Sequence, residues 1–399
     1  MAQRTTARHA RNSSAAVIVF TAALAATACT GGSDKSGQPP PSAPPASTAP
    51  AGPGLSFTAA ASSPVGDNPR AISAADFDGD GVLDLVTANL GPGDASVLFG
   101  DGQGGFREVT TIPAGPAALR NVTADVNADG FMDVVTINVS DETVTVQRGD
   151  GKGGFTEPTV HATGDGPSGV TAADFDGDGN LDLATANYDG DNVSVLLADG
   201  AGGFAAPVHL PAGNGPADIV AADFNGDGRI DLASGNHHSD DASILLGNGD
   251  GTFAPAVSAA AGNGPHGIVA ADFDGDGNVD LATPDYEGDT VSVLLGDGEG
   301  GFAAPLVMPA GDGPTGIAAA DLDGDGDIDL ASANFESDDV SVFAGDGRGG
   351  FAAAIAVPAA DGPIKIVAGD LDGDGKADLA VANSHDDNVV VLRNTTAGR

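Results

Sequence analysis

The chain has 399 residues, with 57 Asp and Glu against 15 Lys and Arg. Arg4, Arg8 and Arg11 precede the first apolar stretch and every acidic residue follows it, so the remainder carries 12 − 57 = −45 formal charges; with no basic stripe to displace counterions from phosphates, this excludes a nucleic-acid partner. Cys29 is the only cysteine, so no disulfide framework is available and the fold rests on its core, its repeat interfaces and bound cations.

Residues Ala15 to Ala28 are apolar except for Thr21 and Thr27, and the stretch is too short to span a bilayer comfortably. Behind a basic start it reads as a signal peptide over residues 1–28. Cys29 follows Ala26, Thr27 and Ala28 and precedes Gly31 and Gly32, a setting that resembles the lipobox of bacterial lipoproteins, although Ala26 stands where that family usually has Leu or Val. The resemblance implies export, lipidation of Cys29 and anchoring on the outer side of the cytoplasmic membrane, the lipid being the sole membrane contact. Simple cleavage and secretion is the alternative. Residues 29–53, rich in Pro, Ser, Ala and Gly, read as an extended tether that would reach roughly 70 Å as polyproline II.

From residue 54 to the end one pattern repeats. An acidic box of the form DxDGDGxxD opens at Asp76, Asp125, Asp174, Asp223, Asp272, Asp321 and Asp370, each 49 residues after the last. A period of this length marks a repeat fold in which each unit buries its apolar faces against its neighbours. In the third unit, short runs at Val170–Ala173, Leu183–Asn187, Val193–Leu197 and Phe204–Leu210 are separated by clusters of Gly, Asp, Asn and Pro. These predict four antiparallel strands, and no stretch has the length and period of a helix. The fold class is therefore all-β: a seven-bladed β-propeller with four strands per blade. The aromatic that opens strand four recurs at Phe57, Phe106, Phe155, Phe204, Phe253, Phe302 and Phe351, so the domain begins on a fourth strand and ends on a third. Ser56–Ala61 is expected to supply the last blade's outer strand and close the ring.

Oxygen side chains at box positions one, three, five and nine, with the carbonyl of position seven, are the donor set that wraps a hard cation, and glycine at position six permits the sharp turn. The predicted ligands are, blade by blade, Asp76, Asp78, Asp80, Val82 and Asp84; Asp125, Asn127, Asp129, Phe131 and Asp133; Asp174, Asp176, Asp178, Asn180 and Asp182; Asp223, Asn225, Asp227, Arg229 and Asp231. Blades five to seven add Asp272, Asp274, Asp276, Asn278 and Asp280; Asp321, Asp323, Asp325, Asp327 and Asp329; Asp370, Asp372, Asp374, Lys376 and Asp378. Blade two, with Asn127 and with Ala128 in place of the usual glycine, is the weakest, and blade four has Asn225. The box, the period and a GDGxGGF-like turn such as Gly296 to Phe302 together resemble the FG-GAP and VCBS repeat families of integrin-α-type propellers. That resemblance implies up to seven structural Ca²⁺ ions.

The loops on the other face vary more. After a near-constant Asn (Asn89, Asn138, Asn187, Asn236, Asn334, Asn383, with Asp285 in blade five), read as a turn residue bonding nearby backbone, one position carries Tyr188, His237, Tyr286 and Phe335 in four adjacent blades. With His266, these are the candidates for contacting a ligand. The tether, the anchor and a propeller with nothing catalytic evident point to a monomeric, calcium-stabilised, non-catalytic binding or adhesion module displayed on the cell envelope that recognises an unknown protein or glycan. The alternative is a polysaccharide-active lyase or hydrolase; against it, the 12 basic residues after the signal are scattered and no Ser-His-Asp or Cys-His set has a recognisable context. A purely structural spacer is the third reading.

Overall fold

The computed structural model describes residues 54–397; the signal segment, Cys29 and the tether lie outside the described residues. Seven separate four-stranded antiparallel sheets follow one another around a ring, and no helix occurs among the described residues. In blade three the strands are Pro167–Ala173, Asp182–Asn187, Asn192–Leu196 and Val208–Pro211, counted outward from the axis.

The second strand of every blade is buried at all six positions. Adjacent blades pack face to face and cover both of its sides, so small and β-branched residues such as Leu183, Ala184 and Thr185 suit it. The fourth strands are largely exposed, and in blades two to six they span only four residues, which limits the free sheet edge.

Two local departures from the sequence reading fall mostly at prolines. Strand four does not run unbroken from its phenylalanine: Phe155, Phe204, Phe253, Phe302 and Phe351 each form a single bridge before the ladder resumes downstream. In blades two to five a proline (Pro158, Pro207, Pro255, Pro305) falls in the gap and offers no N–H to the ladder, whereas blade one, with Arg107 and Glu108 there, keeps one strand from Phe106 to Pro113. Nothing in the structure explains the same gap in blade six, which lacks the proline. In blade five Pro284 lies inside the second strand, and the first strand shrinks to Val269–Ala271 plus a bridge from Pro265 to Asp285.

The ring closes as predicted, with a longer strand. Phe57–Pro64 pairs antiparallel with Asn388–Asn394 of blade seven, in register from Phe57 opposite Asn394 to Pro64 opposite Asn388. The joint is extended by Asn68 N–H donating to Asp387 Oδ1 at 2.7 Å and Thr395 N–H donating to the Ser56 carbonyl at 2.7 Å.

Aromatic pairs stitch neighbouring blades. The residue at box position two packs edge-to-face on the strand-four phenylalanine of the next blade: Phe77 on Phe155, Phe175 on Phe253, Phe224 on Phe302 and Phe273 on Phe351, with centroids 5.4 to 5.9 Å apart. Blades two, six and seven place Val126, Leu322 and Leu371 there.

Deleting residues 55–64 should abolish cooperative unfolding, because the last blade loses its outer strand and the chain ends lose their joint; a truncated chain that melts like the parent would overturn the closure. Phe224→Ala should cost about 3–5 kcal/mol, the range for emptying a buried aromatic site, when measured by denaturant unfolding.

Candidate metal loops and the opposite face

Each acidic box is the loop between the first and second strands of its blade, and its backbone is held by its own carboxylates. In blade three Asp174 accepts from the N–H of Gly177 at 2.7 Å and of Gly179 at 2.9 Å, while Asp178 accepts from Asn180 N–H at 2.8 Å. These bonds turn the side chains inward. Carboxylate oxygens converge to within 4.8 Å of one another in Asp76, Asp78 and Asp84; Asp174, Asp176 and Asp182; Asp272, Asp274 and Asp276; Asp321, Asp323 and Asp325; and Asp370, Asp372 and Asp374. Oxygen-only groups of this density fit a metal ion of the hard, divalent kind.

Blades two and four form no such trio among the described residues. There the position-three amide turns onto its neighbour: Asn127 Nδ2 donates to Asp129 at 2.9 Å and Asn225 Nδ2 to Asp227 at 3.2 Å. Blade two is strained as well, since Ala128 sits at φ 57° where blade three has Gly177 at φ 76°. Basic side chains lean onto the loops of blades one, four and seven: Arg107 bonds Asp78 at 2.7 Å and Asp80 at 3.0 Å, Arg229 lies 3.3 Å from Asp227, and Lys376 lies 3.8 Å from Asp374.

The position-nine aspartates differ from the rest of the box. Asp84, Asp133, Asp182, Asp231, Asp280, Asp329 and Asp378 are all buried, at 0 or 1% exposure, yet each accepts two or more backbone N–H bonds. Asp182 takes Phe175 N–H at 2.9 Å and Ala198 N–H at 2.7 Å, so one side chain ties the box to the end of strand three. Burial, only partly offset by these bonds and reinforced by the other box carboxylates, pushes the pKa up to about 7 in Asp133 and about 6 in the other six.

The loops also reach the next blade. Gly153, Gly251 and Gly349, in the turns between strands three and four, donate to the position-two carbonyls of Phe77, Phe175 and Phe273 at 3.0 to 3.1 Å, and Gly104 donates to Leu371 across the ring joint at 3.1 Å. A cation held in the box would therefore brace an interface as well as a loop.

On the opposite face the near-constant Asn proves to be a buried tie between strands through side-chain bonds, and among the described residues only Asn383 also bonds nearby backbone as expected, donating to the Val381 carbonyl at 3.1 Å. Asn187 Nδ2 donates to Asn192 and to Ser194 of strand three, both at 2.7 Å, and its Oδ1 accepts from Thr185 at 3.0 Å. In blade five Asp285 fills the place and accepts from the hydroxyls of Thr283, Thr290 and Ser292 and from the backbone of Gly262.

The ring residues separate into two groups. Tyr188, His237, His266 and Tyr286 form one patch, with His237 6.1 Å from Tyr188, 6.1 Å from His266 and 6.4 Å from Tyr286. His238, which the sequence reading passed over, joins it through a 3.0 Å hydrogen bond to Tyr188 Oη. Phe335 does not belong; it packs on His385 at 5.0 Å and against the core of blade seven. Tyr188 and His266 also line a cavity of about 210 Å³ at the axis, together with Arg70, Arg120 and Ser168. The scattered basic residues are thus partly gathered by the fold: 71, 120, 169, 218, 267, 316 and 365 are one column of the 49-residue repeat, reading Ala, Arg, Gly, Asp, Gly, Gly, Lys. Charges of both signs in a column of small residues were the available signal.

A family model described as FG-GAP-like repeat matches residues 76–136, 125–185, 174–234, 223–283, 277–332 and 321–381. No curated protein sequence matches the chain. Among solved structures it is similar to the BBS1N chain crystallised with ARL6DN (12% identity, TM-score 0.61, 86% of this chain and 98% of that one). It is also similar to virginiamycin B lyase from Staphylococcus aureus, solved in a catalytically inactive form with quinupristin (13%, 0.57, 85% and 98%). A third similarity is to an Agrocybe aegerita lectin specific for non-reducing terminal N-acetylglucosamine (20%, 0.52, 79% and 85%). At these identities the likeness is one of fold. The six family matches, laid over seven blades of which five bring their box carboxylates together, place the chain in the FG-GAP-like repeat family.

Proposed function

We propose that the chain is a calcium-stabilised binding module, exported and held on the outer side of the cytoplasmic membrane through Cys29, that engages a protein or glycan with the face opposite its acidic loops. The observation that carries this reading is the patch of Tyr188, His237, His238, His266 and Tyr286, rings from three adjacent blades bordering an axial cavity. Partly exposed rings beside polar loops supply flat apolar area with polar edges, as sugar or side-chain stacking requires.

A carbohydrate-active enzyme is the second reading, favoured by a histidine beside cationic groups at the same cavity. His266 would be its base, but burial and then Arg120 push its imidazole down to about 3. So weak a base accepts a proton poorly at neutral pH, which favours binding over turnover.

Calcium fits the loops because their donors are all oxygen and because clustered carboxylates repel one another without a cation. In excess EDTA, stability should fall as pH rises from about 4 to 7: the folded position-nine aspartates then hold protons that unfolded ones, ionising near 3.8, have already lost. Millimolar calcium should raise the melting temperature at pH 7.5 and flatten or reverse that slope, since it binds the ionised form. Identical melting with and without calcium at pH 7.5 would remove the metal from the reading. Recognition is tested by a glycan array and an envelope pull-down with calcium present: Tyr188→Ala with Tyr286→Ala should lose the captured ligand, and retention would move the binding face elsewhere. New reducing ends or unsaturated products on polysaccharides would instead establish the enzyme.

A further inference from the structure

The axis of the ring holds the reverse of the chain's overall charge. Lys365 of blade seven reaches Asp218 of blade four at 2.6 Å, a contact three blades apart that crosses the channel. Both side chains are nearly enclosed; Asp218 accepts the Lys365 hydrogen bond, and its charge also acts on Arg120. The glycines of the same column let the innermost strands that carry these side chains approach closely: a Cβ on Gly169 would come within 2.7 Å of the Asp218 backbone, and one on Gly316 within 2.7 Å of the Lys365 backbone.

Beside this pair stand two more cations. Arg120 is only 5% exposed and donates from Nη1 to the Arg70 carbonyl at 3.1 Å. Neither Arg70 nor Arg120 has a carboxylate partner among the described residues, and Nε of each, with Nδ1 of His266, is buried without a hydrogen-bond partner. Three cations thus share one acid at the axis. Asp189 is the only other acidic group at the cavity, and it lies exposed at the rim. With Arg120 buried and Arg70 only partly exposed, two guanidiniums side by side whose nearest acid is already hydrogen-bonded to Lys365 are costly, and a planar fork of N–H donors matches a carboxylate.

We infer that the axial cavity binds the carboxylate of an acidic sugar, with Arg70 and Arg120 taking the charge and the Tyr188 ring and His266 bordering the sugar. This deepens the proposed function and rests on its reading of this face as the binding face. Three features select the ligand. The cavity, at about 210 Å³, lies below the roughly 300–1,000 Å³ of ordinary small-molecule sites and admits one group rather than a chain. The strongly acidic remainder of the protein repels a long polyanion, so the ligand presents a single charged unit. Rings beside the guanidiniums suit a sugar, whereas a bare inorganic ion would use the cations alone.

The test uses the calcium-loaded full chain and titrates galacturonate, galactose and sodium sulfate at constant ionic strength by calorimetry. Galacturonate should bind at least about tenfold more tightly than galactose, and Arg70→Gln and Arg120→Gln should each weaken it at least about tenfold, the loss expected for a charge-assisted bond. Arg348→Gln, an exposed loop change of equal charge, should leave binding unaltered. Should Arg120→Gln fail to fold, the partly exposed Arg70 still gives the answer. Equal affinity for galacturonate and galactose, or wild-type binding by Arg70→Gln, overturns the inference, and sulfate binding without galacturonate binding overturns the sugar assignment. Capture of neutral glycans on an array, lost with Tyr188→Ala but kept in Arg70→Gln, would defeat the carboxylate site while leaving the proposed function standing.

Discussion

The structure turns on a buried aspartate that closes each acidic loop. Asp182 and its six equivalents accept backbone N–H groups from the box and from the end of strand three, so one side chain fixes the join of three strands. The arrangement satisfies hydrogen bonds but leaves a charge in a poorly solvated place, beside other carboxylates. Only a proton or a cation relieves that. The same residue that makes the local geometry would therefore make the domain's stability depend on what occupies the loop.

That condition spreads through the ring because the loops are also interfaces. The box offers a carbonyl in four blades and a phenylalanine in four to the next blade, so a disordered loop there would loosen two sheets rather than one. On the other face the loops between strands two and three answer in kind: Asp191, Asp240, Asp289 and Asp338 each accept an N–H bond from a glycine of the following blade at 2.9 to 3.0 Å. With both rims latched, the innermost strands are held in fixed registry around the axis. Side chains projecting there meet partners from distant blades, as Lys365 meets Asp218.

The two faces consequently have different chemistry. One carries repeated oxygen clusters suited to cations and varies little from blade to blade. The other carries rings, histidines and, at its centre, most of a small basic cluster in a strongly acidic protein. A repeat scaffold frees its loops and its axis for recognition because neither is needed to define the blade.

Much of this was legible in the chain alone. The 49-residue period fixed blade number, and the phase of its phenylalanines fixed the closure, because a ring of sheets leaves only one way to pair the two ends. The degraded loop of blade two was visible as Asn127 and Ala128, since local backbone conformation follows from local residues. What tertiary structure decided was every contact between equivalent columns. The gathering of His238 with Tyr188, the separation of Phe335 from the other rings, and the meeting of Arg70, Arg120, Asp218 and Lys365 depend on distances across the ring. A periodic sequence states what each blade contains, whereas closure about an axis determines which residues from different blades share one space.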